Sequence, residues 1–248
     1  NMKRILSIGL AILMLLGALS IPISASTPDD MHIYDHEGYI RSGGKFRPYD
    51  ALTRAEMACL LYRMLDDEQK RDSFVGYDCK FTDVNIPQNS WYGLALMNLE
   101  FLGIVKGYED GTFRPNQPVS RAEFVVLLSR VHELEAGEKT FPDVPKTHWA
   151  YDTIAAAGEA GWIHGYEDGT FRPNQSVKRI EAVKMINNML GWSCDRDFVD
   201  NEKHLSGFEF EDLERGSWEY YEVMEASLSH NCIHENGKEI WTKAAVAA

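Results

Sequence analysis

The stretch that decides the fold reads Gly107-Tyr108-Glu109-Asp110-Gly111-Thr112-Phe113-Arg114-Pro115-Asn116-Gln117, and it returns from Gly165 to Gln175. Two shorter motifs keep their spacing around it. Phe81-Thr82-Asp83-Val84 returns as Phe141-Pro142-Asp143-Val144, and Ser120-Arg121-Ala122-Glu123 returns as Lys178-Arg179-Ile180-Glu181. A period of about 58 to 60 residues is typical of a repeat protein, in which each unit needs a neighbour to bury its apolar face.

Each repeat predicts two helices joined by a tight turn. In the first half, Phe-x-Asp-Val and a short loop lead to Trp91, where a helix begins, and Gly103 is placed to end it, because glycine accepts the left-handed conformation after a helix. In the second half, Asp-Gly is a turn signal. A second helix follows from a capping box of Ser120 and Glu123. Its apolar face is formed by Phe124, Leu127, Leu128 and Val131.

Half repeats lie on either side of the two whole ones. Phe46-Arg47-Pro48 and Thr53-Arg54-Ala55-Glu56 match a second half, and Phe210-Glu211-Asp212-Leu213 with Trp218 matches a first half. We expect the two halves to pack together and complete a third unit, which would close a ring with pseudo-threefold symmetry. The predicted segments are a half repeat at 38–66, whole repeats at 81–134 and 141–191, a connecting loop at 192–209, and a half repeat with a tail at 210–248. Trp241 to Ala245 are expected to form either a vestigial fourth cap or a helical tail.

Residues 1–25 predict a secretory signal peptide. A basic pair precedes an apolar run, and Ile23-Ser24-Ala25 offers a small-residue cleavage site. A membrane anchor is the alternative, but a spanning helix needs about 20 apolar residues, and Pro22 interrupts this run earlier. We expect residues 26–37 to be a linker and the exported chain to have no membrane contact after cleavage.

The net charge of −13 excludes a general affinity for nucleic acid or anionic lipid, since phosphate binding needs a basic surface. An anionic ligand would therefore need a local cationic pocket. Export permits disulfides, and four cysteines allow three pairings. Cys59 falls in a helical apolar stretch and is expected to be a buried thiol. The four cysteines are Cys59, Cys79, Cys194 and Cys232.

The repeated motifs resemble those of the S-layer homology family over about residues 38–230. The resemblance implies a mainly α fold in which three helix–loop–helix repeats form a three-pronged prism around a helical bundle. It also implies non-covalent anchoring to the cell wall, with secondary cell wall polysaccharide, including polymers that end in a pyruvylated amino sugar, bound in grooves between repeats. No cofactor is implied. We expect a monomer at the cell surface.

By position, the same resemblance assigns the ligand-binding residues. They are the arginines Arg54, Arg121 and Arg179, the aspartates Asp83, Asp143 and Asp212, the tryptophans Trp91, Trp149 and Trp218, and Tyr108 and Tyr166 of the repeated turn. The chemistry fits, because a guanidinium grips a carboxylate with two parallel hydrogen bonds and a tryptophan ring covers an apolar sugar face. We favour Arg54 and Arg121 over Arg179, whose helix begins without a Ser or Thr cap.

These assignments have structural alternatives. Tryptophans of this kind are often core residues, and each arginine can form an ion pair with the aspartate of a neighbouring repeat. The glutamates of the capping boxes are expected to be caps, at positions 56, 123 and 181. Asp110 and Asp168 are expected to form turns, because they do not complete a calcium-binding loop.

Three other classes of protein are alternatives. An enzyme is not expected, because the sequence carries no nucleophile elbow, zinc-protease helix or phosphate loop. A metal protein is suggested by the alternation of His230, Cys232 and His234, which an extended strand would place on one side; a loop with scattered histidines is the alternative, and no metal is assigned. A surface module that binds another protein, or assembles an S-layer without binding glycan, remains the second function.

Overall fold

The computed structural model describes residues 34–36, 39–40, 44–65, 70, 79–84, 91–202, 210–235 and 238–246. The signal peptide at 1–25, most of the linker, and residues 203–209 of the expected loop lie outside the described residues. In the described part, no helix is long and apolar enough to cross a bilayer.

The fold is mainly helical, as predicted. In chain order the elements are β1 (Tyr34–His36), α1 (Arg54–Arg63), α2 (Gly93–Phe101), α3 (Arg121–Val131), α4 (Tyr151–Glu159), α5 (Arg179–Leu190), α6 (Arg196–Asn201), α7 (Trp218–Ser227), β2 (Leu228–Glu235) and β3 (Lys238–Val246). Helix α1 packs on α2, α3 on α4, and α5 on α7. Each second-half helix therefore packs on the first-half helix that follows it, and this brings the apolar faces of neighbouring repeats into one core.

A closed ring of three backbone hydrogen bonds joins the repeats at the centre. Leu52 N–H donates to the carbonyl of Val177, Val177 N–H donates to Val119, and Val119 N–H donates to Leu52, each at 2.9 Å. All three side chains are fully buried. Because each segment is extended before its helix cap, it can donate to one neighbour and accept from the other. The ring gives the three units their pseudo-threefold relationship.

The two half repeats pack together, as the ring requires. Both carboxylate oxygens of Asp212 accept hydrogen bonds at 2.7 Å, one from Phe46 N–H and one from Arg47 N–H. Glu211 N–H donates to the carbonyl of Gly44 at 3.0 Å, and the rings of Phe46 and Phe210 meet edge to face at 5.8 Å. The third unit is thus assembled from segments far apart in the sequence.

Helix caps follow the predicted boxes where the sequence supplies them. Thr53 and Ser120 accept from the backbone N–H of the glutamate three residues on, and that glutamate accepts from the cap residue's own N–H. At α5 only the second bond is chemically available, from Lys178 N–H to Glu181 at 2.9 Å, because an ammonium group cannot accept. Helix α5 therefore begins with half a capping box.

Two expectations about the C-terminal region were wrong. The stretch 192–209 is not only a loop, because α6 lies within it and is capped by Asp195, which accepts from Phe198 N–H. The tail is neither helical nor a fourth cap. Strands β2 and β3 form an antiparallel hairpin, and β1 pairs with β2, because Trp241 gains burial by joining this sheet.

All four cysteines are free thiols. Cys232 is buried, and the other three are partly buried. Cys59 is a free thiol, as predicted, but it is partly and not fully buried. Burial raises the pKa of its thiol to about 11, which makes it a poor nucleophile.

Candidate functional site

The three repeated arginines lie in the interfaces between neighbouring units. Each occupies the first turn of its helix, and its Nε donates to the carbonyl of the phenylalanine in the adjacent unit's turn. The bonds run from Arg54 to Phe113 at 2.6 Å, from Arg121 to Phe171 at 2.8 Å and from Arg179 to Phe46 at 2.7 Å. Arg54 and Arg121 are only 6% and 3% exposed.

The ion pairs of these arginines differ from the sequence expectation. The partner is the capping glutamate of the neighbouring repeat, not the aspartate of Phe-x-Asp-Val. Arg121 Nη1 lies 3.3 Å from Glu181, and Arg179 Nη1 lies 2.9 Å from Glu56. Among the described residues, Arg54 has no carboxylate within 4.0 Å; its other hydrogen bond is a long one of 3.4 Å to the carbonyl of Lys106.

A cavity of about 210 Å³ opens beside Arg54, and we call it the Arg54 groove. It is lined by Arg54, Met57, Val105, Lys106, Gly107, Tyr108, Glu123, Val126, Leu127, Arg130 and Trp149. Three of these side chains are cationic and one is anionic. Burial lowers the pKa of Arg54, while Tyr108 and Glu123 oppose that change; arginine nonetheless stays charged. The groove is a local positive site on an acidic protein.

A smaller cavity of about 140 Å³ lies beside Arg179. It is lined by Ile40, Phe46, Leu52, Leu60, Arg63, Arg179 and Val183. Its lining is mainly apolar, and the guanidinium of Arg179 is already in contact with Glu56. A carboxylate ligand here would have to compete with that glutamate.

The tryptophans are exposed rather than buried, so the core alternative is wrong for all three. Trp91, Trp149 and Trp218 are 66%, 64% and 45% exposed. Trp149 is one of the residues that line the Arg54 groove. An exposed indole beside cationic side chains can cover a sugar face.

The aspartates hold the turns. Asp83 accepts from the N–H groups of Phe113 and Arg114, both at 2.7 Å, and Asp143 and Asp212 do the same for their own turns. The arginine in each turn has a left-handed φ of 58° or 59°, which is costly for a residue with a Cβ. Both oxygens of each carboxylate are therefore committed to a strained turn, and the structure brings none of the three into either cavity.

Each of the two tyrosines lies close to two guanidinium groups. Arg54 and Arg114 lie 4.8 and 4.0 Å from the centre of the Tyr108 ring, which is within cation–π range. Tyr166 has the same arrangement in the next repeat, but its hydroxyl donates to Glu181 at 2.7 Å. Tyr108 lines the Arg54 groove, and Tyr166 lines neither cavity described above.

Asp110 and Asp168 form the turns as predicted. Asp110 accepts from the N–H and the hydroxyl of Thr112, at 3.0 and 2.6 Å, and pairs with Arg114 at 2.8 Å. These bonds lower the pKa of Asp110 to about 2. Asp168 forms the same bonds with Thr170 and Arg172, and they lower its pKa to about 2 as well.

Sequence reasoning missed Lys106 and Arg130. Lys106 directly precedes the repeated turn, where the second repeat has His164. Arg130 donates to the carbonyl of Ile104 at 2.8 Å, and Asn188 takes the corresponding position on α5. Aligning the repeats by their helices would have revealed both, and would have marked the Arg54 groove as more cationic than the corresponding positions beside Arg121.

Comparison with known proteins decides the family. The S-layer homology domain model matches residues 80–125 and 140–183. These segments are S-layer homology domains. The chain is 31% identical to a cellulosome-anchoring protein and 30% identical to cell surface glycoprotein 1, both from Acetivibrio thermocellus, over 89% and 84% of its own length. It is 37% identical, over 40% of its length, to a surface layer protein from Brevibacillus choshinensis.

The chain spans 47% of the cellulosome-anchoring protein and 9% of each of the other two relatives. All three relatives are named for the cell surface, for a surface layer or for anchoring. What this chain shares with them includes the S-layer homology domains at residues 80–125 and 140–183.

Proposed function

We propose that the chain anchors itself non-covalently to the bacterial cell wall by binding secondary cell wall polysaccharide, with the Arg54 groove as the principal site. One observation carries the choice of groove. The guanidinium of Arg54 faces a cavity and has no carboxylate within ion-pair distance in the described part of the chain, whereas Arg121 and Arg179 each contact a glutamate.

The preferred ligand chemistry is a sugar that carries a carboxylate, such as a pyruvate ketal. Lys106 and Arg130 supply two further positive charges around Arg54. Charge-assisted bonds to a carboxylate are about twice as strong as neutral ones. The chain's net charge of −13 opposes approach of an anionic polymer at long range, but salt screens that field beyond about 10 Å, so the local cations decide binding.

The sugar ring itself is assigned to Trp149 and Tyr108. Both line the Arg54 groove, and the indole is exposed enough to cover an apolar sugar face without first leaving a packed position. The three aspartates hold the turns whose phenylalanine carbonyls accept from the arginines, and we do not propose that they contact the ligand. They are Asp83, Asp143 and Asp212. Arg121 with Trp218 and Tyr166, and Arg179 with Trp91, are proposed as weaker sites, because a ligand there must displace a glutamate.

No catalytic step is proposed, and the anchoring unit is proposed to act as a monomer. The cellulosome-anchoring relative is named for an anchoring task, which supports this function. The second candidate, a protein-binding surface module, is supported by the three exposed tryptophans, because exposed aromatic residues are enriched in protein interfaces.

A sedimentation assay tests the proposal. Purified chain is mixed with cell-wall sacculi that are either native or stripped of their secondary polymer by acid. We expect pelleting with native sacculi alone, reduced at least tenfold in affinity by Lys106→Gln and by Arg54→Lys. Lys106 is exposed, so its substitution leaves the fold intact. The matched control is Lys139→Gln, an exposed lysine outside both cavities.

Each other outcome has a definite meaning. Equal pelleting with native and stripped sacculi would move the ligand to peptidoglycan. Failure to pellet with either would overturn the anchoring function, and retained binding to intact cells would then favour a protein partner.

A further inference from the structure

A buried polar cluster lies between α7 and the hairpin, away from the grooves. His230 and Cys232 come from β2, Glu239 from β3 and Glu225 from α7, and all four are at least nine-tenths buried. One donor atom each from His230, Cys232 and Glu239 lie within 4.8 Å of one another. Glu225 Oε1 lies 3.5 Å from His230 Nε2. Within the described part of the chain, the cluster therefore combines one imidazole, one thiol and two carboxylates.

The imidazole of His230 is oriented by its other nitrogen. Nδ1 lies 2.9 Å from the carbonyl oxygen of Leu228, and because a carbonyl only accepts, Nδ1 carries a proton. Nε2 then faces Glu239 Oε1 at 2.8 Å and Glu225 at 3.5 Å. A neutral ring would point its lone pair at two carboxylates. A positive species, either a proton or a metal ion, must therefore lie between them.

The carboxylate of Glu239 is also fixed by two N–H donors outside the cluster. Ser193 N–H donates to Oε2 at 2.9 Å, and Trp241 Nε1–H donates to Oε1 at 3.0 Å. The indole of Trp241 stacks on the imidazole, with ring centres 3.8 Å apart. A histidine fixed by a backbone carbonyl and a carboxylate fixed by N–H donors form the supporting shell that metal ligands have in proteins.

The set of donor groups favours a divalent ion over a proton. A proton joins two atoms, whereas a divalent transition-metal ion takes several ligands at once. His230, Cys232, Glu225 and Glu239 offer one imidazole, one thiol and two carboxylates in the same buried place. A divalent cation would offset two of the three negative charges that the two carboxylates and a metal-bound thiolate bring together.

We propose that His230, Cys232, Glu225 and Glu239 form a structural site for a divalent transition metal, with Zn²⁺ as the best match. Imidazole, thiolate and carboxylate together suit zinc, and four protein ligands in a closed, buried site are typical of structural rather than catalytic zinc. The ion would fasten the hairpin to α7. His234, which the sequence pattern groups with His230 and Cys232, is exposed near the end of β2 and is not a ligand.

Metal titration of the full chain tests the site. Chelator-stripped protein is equilibrated with Zn²⁺ and, in parallel, with Co²⁺ as a spectroscopic probe. We expect one ion per chain, a rise in melting temperature with zinc, and a cobalt spectrum with tetrahedral and thiolate bands. Cys232→Ser should remove the thiolate band and weaken zinc binding at least tenfold, and Glu239→Gln should weaken it too. His234→Ala is the matched control and should bind as the parent chain does.

Zinc uptake and melting temperature of the unsubstituted chain test the proposal even if the variants fold poorly. A stripped parent chain with native circular dichroism that takes up no zinc, and whose melting temperature zinc does not raise, would overturn the proposal. Protons on both ring nitrogens of His230, seen by ¹⁵N NMR in the presence of zinc, would do the same and would assign the centre to an imidazolium. Zinc binding lost in His234→Ala but kept in Cys232→Ser would place the ion elsewhere and overturn the ligand set.

Discussion

Arg121 Nη1 lies 3.3 Å from Oε2 of Glu181. The same oxygen accepts a hydrogen bond from the backbone N–H of Lys178, the residue that caps α5 in the next repeat. One glutamate thus serves both its own helix and the interface to the preceding repeat. Arg179 and Glu56 have the same relationship, whereas Arg54 has no carboxylate within ion-pair distance among the residues that the structure describes. The three pseudo-symmetric units therefore differ in whether the arginine is already paired with a glutamate, and this pairing determines how easily the arginine can bind an acidic ligand.

Breaking this buried pair should weaken the fold. Arg121→Gln removes the cation that pairs with Glu181 and the Nε donor to the carbonyl of Phe171, and loss of one member of a buried ion pair costs about 3 kcal/mol or more. Urea denaturation measures the change. Arg114→Gln, at an exposed surface pair, is the control and should leave the midpoint nearly unchanged. Equal effects of the two substitutions would contradict the structural role of Arg121.

The aspartates should act through the fold. Asp143→Ala frees the N–H groups of Phe171 and Arg172, and loss of bonds to a charged acceptor should cost about 2 to 4 kcal/mol. Asp152→Ala, on the exposed face of α4, is the matched control. Sacculus binding measured well below the melting temperature should fall little in Asp143→Ala. A large loss of binding in a variant that remains folded would make the aspartate a ligand contact after all.

A complete cap should stabilise α5. Lys178→Thr supplies the side-chain acceptor that α1 and α3 have, and should raise the free energy of unfolding by about 1 kcal/mol. Ser120→Ala should lower it by a similar amount at the corresponding position of α3. Both changes are read from denaturation midpoints, and a destabilised Lys178→Thr would show that the lysine side chain has another stabilising contact.

Trp149 should matter for binding and not for stability. Its indole is 64% exposed, whereas Trp162 is 5% exposed. Trp149→Ala should therefore reduce sacculus affinity with little change in melting temperature, while Trp162→Ala should cost about 3 to 5 kcal/mol through the cavity it leaves. A destabilised Trp149→Ala chain, or one that binds normally, would contradict its role in the groove.

Acid should remove the stability that the charged forms of Asp110 and Asp168 contribute. Hydrogen bonds from Thr112 and Thr170 lower the pKa of Asp110 and of Asp168 to about 2, whereas an unfolded aspartate has a pKa near 3.9. A lowered pKa means that the stabilisation is fully present above about pH 4 and is lost as the pH falls toward 2. Comparing the parent chain with the Asp110→Asn, Asp168→Asn variant measures this, and their difference in urea midpoint should shrink over that interval. A difference that is the same at pH 7 and pH 2 would exclude this linkage.

The family, the helices and the closing of the ring could all be predicted from the sequence. Motifs repeated at a fixed period, apolar residues on one helix face and capping boxes are local signals, because they depend on residues a few positions apart. The half repeats implied their own pairing, because a repeat cannot bury its face alone. The resemblance to the S-layer homology family assigned the three arginines to grooves between repeats, and each donates to a carbonyl of the adjacent unit. Their binding of a ligand stays a prediction.

What only the tertiary structure decided depends on residues distant in sequence. No local pattern distinguishes a tryptophan in the core from one on the rim of a groove, and the partner of each arginine belongs to another repeat. The hairpin, predicted as a helical tail or a fourth cap, forms because Trp241 and Cys232 gain burial against distant segments, which outweighs local propensity. Likewise, Glu225 on α7 meets His230 and Glu239 only when the hairpin folds back, so the alternation in the sequence indicated two of the proposed metal ligands and the fold supplied the others.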